Sequence, residues 1–151
     1  MLGASKRLSL DENLRGRIRE ANVAVHRFEA KYYALIHPEI YNKYEQKRVN
    51  SALEMVDRLV AANTVHAKKA LDVGAGTGNL TCKLLRMGYE VTAIDLSAEM
   101  CKLLENKCRH YLESHKLVVI NSPIEAVTFD RDEFDLITPI LYCIICRIMR
   151  M

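Results

Sequence analysis

The 151-residue chain lacks any apolar run of about 20 residues, and its first residues hold no apolar stretch long enough for a signal peptide. It also lacks a strong charge of either sign. The sequence has 22 Lys and Arg residues against 19 Asp and Glu residues, so the net charge is +3. That charge is too small to favour a nucleic-acid partner. These absences predict a cytoplasmic protein with neither a membrane nor a nucleic acid as partner.

The five cysteines follow neither a disulfide framework nor a zinc-binding spacing. Cys143 and Cys146 form a lone C-x-x-C pair, which is weak support for a metal or redox site, and we expect no metal. Cys82, Cys101 and Cys108 fall in helical patterns, where reduced cysteine packs as a small apolar residue. This usage is typical of a reducing compartment.

The sequence of residues 1–63 predicts a helical N-terminal segment, called the lead-in below. It precedes a second predicted domain at 64–151. Ser9 with Glu12 resembles a helix-capping box, and His37-Pro38 separates a first helix from a second that ends near Asn63. The predicted apolar face of the first helix is Leu10, Leu14, Ile18, Ala21, Val25, Phe28, Tyr32 and Leu35. The predicted face of the second is Ile40, Tyr44, Ala52, Val56, Leu59 and Val60.

After residue 67, short apolar runs alternate with helical patterns. Strands are predicted at 68–73, 90–94, 117–120 and 134–138. One helix is predicted at 79–87, and Ser97 is the expected N-cap of the next. The alternation indicates an α/β fold with right-handed βαβ units and a parallel sheet.

The first strand leads into a glycine-rich loop, Gly74-Ala75-Gly76-Thr77-Gly78, and then into a helix. Glycines let the backbone turn tightly and approach a ligand closely, because they carry no Cβ. Asp95 closes the second strand, and a carboxylate there can accept hydrogen bonds from two ribose hydroxyls. Ligands of open α/β sheets bind beyond the carboxyl ends of the strands. The pattern therefore predicts a ligand that contains a nucleoside.

The glycine spacing is G-x-G-x-G, not the G-x-G-x-x-G of dinucleotide sites, which disfavours a nicotinamide oxidoreductase. "LDVGAGTGNLT", "AIDLS" and "FDLIT" resemble, in order, the motifs of class I S-adenosylmethionine-dependent methyltransferases. The resemblance covers residues from about 66 to 140. It implies S-adenosylmethionine as cofactor and a three-layer, Rossmann-like parallel sheet of about four strands in the order 3-2-1-4, behind an N-terminal helical extension.

The same resemblance implies roles for individual residues. Asp72 is expected near the ammonium group of the cofactor, and Asp95 at the ribose hydroxyls. Leu96 is expected to cover the adenine, and Gly74, Gly76 and Gly78 to let the backbone pack against the methionine portion. Ala75, between the first two glycines, is also expected to bind the cofactor. Pro123 stands where the family often has an acid for the adenine amino group, so the Ser122 hydroxyl or the Ile124 backbone N–H is expected to meet the adenine instead.

No catalytic residue is identified by the sequence. Thr138, Tyr142, Tyr44 and His37 are weak candidates. Thr138-Pro139-Ile140-Leu141 does not resemble the Asn/Asp-Pro-Pro-aromatic motif of enzymes that methylate exocyclic nitrogens of bases, so a small-molecule acceptor is expected.

The family sheet usually has seven strands, and this sequence ends soon after the fourth. We therefore expect a C-terminally incomplete domain whose fourth-strand edge favours self-association. A binding module that holds the cofactor without transferring its methyl group stays the alternative.

Overall fold

The described part of the lead-in, residues 12–63, consists of helices joined by short turns. The computed structural model describes residues 12–139. Its first four helices are α1 (Glu12–Glu29), α2 (Tyr33–Ile36), α3 (Pro38–Tyr41) and α4 (Lys43–Asn63), with a 3₁₀ turn at Ala30–Tyr32. The predicted break at His37-Pro38 is confirmed, because Pro38 occupies the first turn of α3.

The second predicted helix is in fact two helices, and a capping asparagine separates them. The Asn42 side chain accepts hydrogen bonds from the backbone N–H groups of Tyr44 and Glu45, each at 3.0 Å. Asn42 itself has an extended backbone, which ends α3 and begins α4. The apolar periodicity runs through this position, so it did not predict the break. The predicted end at Asn63 is correct.

The apolar face predicted for the first helix is wrong in orientation. Among its described members, Phe28 is 84% exposed and Leu35 is 78% exposed. The side turned toward the rest of the protein instead carries Val23, His26 and Ala30. This side faces α6 and a partly polar cavity, so its surroundings rather than the hydrophobicity of the stripe decide which side is buried. Leu10 and the predicted capping residue Ser9 lie outside the described residues.

The face predicted for the second helix is partly correct. Ile40 is buried, and Val60 packs against the core. Tyr44 and Leu59, however, are 72% and 63% exposed.

A four-stranded parallel sheet follows the lead-in. It consists of β1 (Lys69–Val73), β2 (Glu90–Asp95), β3 (Leu117–Asn121) and β4 (Leu136–Thr138) in the order β3-β2-β1-β4. The predicted order 3-2-1-4 is therefore confirmed. Three further helices connect the strands: α5 (Thr81–Arg86), α6 (Ala98–Lys107) and α7 (Arg109–Glu113). The register pairs Asp72 with Thr138 and Asp95 with Asn121, so the carboxyl ends of all four strands meet at one edge.

The core lies between the sheet and its helices, and Lys68 is one of the residues that join the sheet to the lead-in. Leu84, Tyr89 and Leu104 are fully buried there. Lys68 Nζ donates to Asp57 Oδ1 of α4 at 2.6 Å and lies 4.4 Å from the centre of the Tyr89 ring. The ion pair and the cation–π contact join the long helix α4 to the edge of the sheet.

Two expectations depend on the end of the chain. Residues 140–151 follow β4 in the sequence and lie outside the described residues. They include Tyr142, Cys143 and Cys146. Self-association through that edge stays a prediction. Within residues 12–139, no helix has the length and apolar character needed to cross a membrane.

Candidate functional site

The glycine loop forms the floor of the site. Gly74, Gly76 and Gly78 all have positive φ angles, of 72°, 54° and 79°. A Cβ at Gly78 would overlap the side chain of Leu104, so the loop packs directly on α6. A Cβ at Gly76 would meet no protein atom within 4 Å. The loop is thus fixed on its inner side and leaves open space beside Gly76.

Asp95 links this loop to the end of β2. Its Oδ2 accepts a hydrogen bond from the Gly76 backbone N–H at 2.8 Å, and its Oδ1 accepts one from the Ser97 N–H at 2.9 Å. A carboxylate has about four lone-pair sites, so about two remain for a ligand. Two free acceptor sites on one rigidly held carboxylate suit a pair of neighbouring hydroxyl groups.

Asp72 lies behind the loop. It is only 3% exposed, and its two oxygens accept hydrogen bonds from the hydroxyls of Thr81 (2.5 Å) and Thr138 (3.0 Å). Burial raises the pKa of the Asp72 carboxyl, while the hydroxyl donors act in the opposite direction. Asp72 therefore joins the first turn of α5 to β4, and its predicted contact with an ammonium group stays a prediction.

A cavity of about 200 Å³ opens between the loop and the lead-in. Six of the predicted site residues line it: Gly74, Gly76, Asp95, Leu96, Ser122 and Ile124. Three others are not among its lining residues: Asp72, Ala75, which packs against the core, and Gly78, which lies against Leu104. Residues predicted from three separate stretches of sequence thus share one space at the carboxyl edge of the sheet.

The lead-in contributes a wall of the cavity that the sequence did not predict. Asn22, Val23, His26 and Tyr33 line it. Asn22, Val23 and His26 follow a helical spacing on the side of α1 opposite the apolar stripe, and Tyr33 belongs to α2. That spacing was available in the sequence, but the stripe itself was the stronger pattern.

Two ion pairs hold α1 across the cavity. Arg19 Nη2 lies 3.1 Å from Glu125 Oε1 after β3, and Arg27 Nε lies 3.4 Å from Glu99 Oε1 at the start of α6. All four side chains are at least partly exposed, so each pair contributes roughly 0 to 1 kcal/mol. The two ion pairs therefore orient α1 across the cavity but add little to the stability of the protein.

The family follows from comparison with known proteins. Residues 70–147, about half of the chain, match the family model described as a methyltransferase domain. The chain belongs to this methyltransferase family. The match begins in β1 and includes the glycine loop, Asp95 and the residues after β3 that line the cavity.

Named relatives match parts of this chain. An uncharacterized methyltransferase of Mycobacterium tuberculosis is 41% identical over 61 residues, which are 40% of this chain and 24% of that protein. The ubiquinone/menaquinone biosynthesis C-methyltransferase UbiE of Pectobacterium carotovorum is 36% identical over 74 residues, or 47% of this chain and 30% of that protein. The chain thus covers less than a third of either relative.

A solved structure supports the fold. The crystal structure of WbdD superposes with a TM-score of 0.53 at 22% identity, and the match covers 60% of this chain and 21% of that one. This likeness concerns the fold alone. Together with the observed strand order, it agrees with the class I methyltransferase fold expected from the sequence.

The weak catalytic candidates occupy different places in the structure. Tyr44 is exposed, and the Thr138 hydroxyl donates toward Asp72 and the Leu71 carbonyl oxygen. His37 Nε2 lies 3.6 Å from Glu29 Oε2. Tyr41, which is not one of these candidates, has its hydroxyl 3.0 Å from Thr77 Oγ1 and so joins the lead-in to the glycine loop.

Proposed function

We propose that this methyltransferase binds S-adenosylmethionine in the cavity above its glycine loop. The observation that carries the proposal is the Asp95 carboxylate, which is oriented by the backbone of Gly76 and Ser97 and keeps acceptor sites for ribose hydroxyls. The open space beside Gly76 fits a ligand that lies against the backbone. The partly exposed apolar side chain of Leu96 suits one face of an adenine ring.

Electrostatics support a cofactor with cationic groups. Asp72 and Asp95 lie at the ends of the neighbouring strands β1 and β2, one on each side of the glycine loop. Each carboxylate makes the electrostatic potential of the site more negative. A sulfonium or an ammonium group is stabilised by such a potential, whereas a pyrophosphate is repelled. The charge of the site therefore agrees with the glycine spacing in favouring S-adenosylmethionine over a dinucleotide.

The proposed reaction is the transfer of the cofactor's methyl group to a small-molecule acceptor. The cofactor supplies an activated methyl group, so the protein acts mainly by positioning. Asp95 and the loop backbone hold the nucleoside and methionine ends, while α1 shields the cavity from water. A small acceptor is favoured by the low net charge of +3 and by the likeness to UbiE, whose name assigns it to ubiquinone and menaquinone biosynthesis.

A transfer assay with the full 151-residue chain tests the proposal. Methyl-labelled S-adenosylmethionine is incubated with quinols, phenols, small amines and a structured RNA, and labelled products are separated by chromatography and mass spectrometry. We expect label in a small-molecule product, and at least tenfold less of it with Asp95→Ala at a cofactor concentration below the dissociation constant of the wild type. Label in RNA alone would contradict the acceptor class. Cofactor binding without transfer to any acceptor would favour the non-catalytic binding module.

A further inference from the structure

The cavity wall that follows β3 offers few partners for an adenine ring. The edge of adenine presents an amino group that donates hydrogen bonds and ring nitrogens that accept them. Pro123 has neither a backbone N–H nor a polar side chain. The Ser122 hydroxyl donates its single proton to the Pro123 carbonyl oxygen at 3.2 Å, which leaves it able only to accept. One oxygen of Glu125 lies against Arg19.

Asn22 of α1 lines the same cavity from the opposite side. It lies one helical turn after Arg19, whose ion pair places α1 above the segment that contains Glu125. It lies one turn before His26, which also lines the cavity. Asn22 therefore belongs to the stretch of α1 that faces the residues after β3.

We propose that the Asn22 side-chain amide recognises the adenine edge of the cofactor, in place of an acid after β3. The inference rests on the proposed function. An asparagine amide carries an acceptor and a donor side by side, which matches the amino group and the adjacent ring nitrogen of adenine. Ser122 or Glu125 can serve the amino group alone, and the Ile124 N–H can serve a ring nitrogen alone.

A double-perturbation experiment on binding tests this role. Isothermal titration calorimetry measures the affinity for S-adenosylhomocysteine and for its analogue with hydrogen in place of the 6-amino group. The proteins are the wild type, Asn22→Ala, Ser122→Ala and Glu125→Gln. Loss of one neutral hydrogen bond corresponds to about a five- to tenfold change in affinity. We expect that loss when the amino group is removed from the ligand of the wild type, and again when Asn22→Ala binds the natural ligand.

The two losses are not expected to add, because Asn22→Ala has already lost the partner of the amino group. Glu20→Ala, an exposed change on the same helix, is the matched control and is expected to behave as the wild type. The inference is overturned if Asn22→Ala keeps the full preference for the amino group, or if Ser122→Ala or Glu125→Gln loses that preference instead. Failure of the wild type to bind S-adenosylhomocysteine would contradict the proposed function itself.

Discussion

The backbone N–H of Gly76 donates a hydrogen bond to the Asp95 carboxylate at 2.8 Å, across 19 residues of sequence. This contact joins the glycine loop after β1 to the end of β2, and the Ser97 N–H holds the other carboxylate oxygen. The strand order places both residues at the carboxyl edge of the sheet. The geometry of the loop and the orientation of the ligand-binding carboxylate therefore depend on each other.

Replacement of Gly78 by alanine is expected to destabilise the protein. Its φ of +79° is unfavourable for other residues, and the new methyl group would overlap Leu104. We expect a loss of about 2 to 4 kcal/mol in the free energy of unfolding, measured by urea denaturation. Gly16→Ala in α1 is the matched control, since nothing lies within 4 Å of the added Cβ. It should stabilise the protein by about 0.5 to 1 kcal/mol. Equal effects of the two changes would contradict this account.

Replacement of Asp72 by asparagine is expected to stabilise the folded protein and to weaken cofactor binding. Burial raises the pKa of this carboxyl in the folded state, so its stabilising effect is lost as the pH rises through that value. At pH 8 we expect Asp72→Asn to raise the free energy of unfolding by about 1 kcal/mol and to weaken cofactor binding. At a pH near 4 the gain in stability should shrink.

Thr81→Val is the complementary variant for Asp72. It removes a hydroxyl donor from the buried carboxylate and should cost about 1 to 3 kcal/mol at pH 8. Denaturation curves of both variants at the two pH values provide the measurement. A loss of stability in Asp72→Asn at pH 8 that shrinks near pH 4 would contradict this account and show that the charged carboxylate stabilises the fold.

The buried thiols are expected to make the protein sensitive to alkali. Burial raises the pKa of Cys101 from its usual 9.0 to about 11 and that of Cys108 to about 12. The folded state keeps both thiols protonated where the unfolded state ionises, so stability is complete below pH 9 and declines as the pH rises toward 11. Denaturation at pH 8 and pH 10.5 measures this decline, which Cys101→Ala and Cys108→Ala should reduce. An unchanged decline in both variants would assign it to other groups.

Two substitutions test which sides of the lead-in helices are buried. Phe28 is 84% exposed and Leu53 is 8% exposed, although the apolar periodicity favoured a buried Phe28. Phe28→Lys should change the free energy of unfolding by less than about 0.5 kcal/mol, whereas Leu53→Ala should cost about 2 to 4 kcal/mol. Thermal melts and urea titrations compare the two directly. A large loss of unfolding free energy in Phe28→Lys would show that the predicted apolar face is buried after all.

Some features of the fold and the site could be predicted from the sequence, and others could not. The sheet order, the glycine loop and Asp95 were predictable because each depends on local chemistry, such as glycines that allow positive φ and an acid that closes a strand. The helix boundary at Asn42 was also encoded locally, as a capping side chain that the periodicity concealed. The orientation of α1 could not be predicted, because periodicity shows which residues share a face but not which face is turned toward the rest of the protein. Asn22 and His26 were missed for that reason.

Calorimetric titration of the chain with S-adenosylhomocysteine tests the central claim most directly. We predict saturable one-to-one binding by the wild type and at least a tenfold loss of affinity in Asp95→Ala, because the carboxylate has charge-assisted hydrogen bonds to make. Asp95→Asn, which keeps one acceptor oxygen, should lose less. Asp130→Ala, an exposed change away from the cavity, should bind as the wild type, and thermal melts confirm folding of each protein. Absence of binding by the wild type, or equal affinity in all four proteins, would contradict the account.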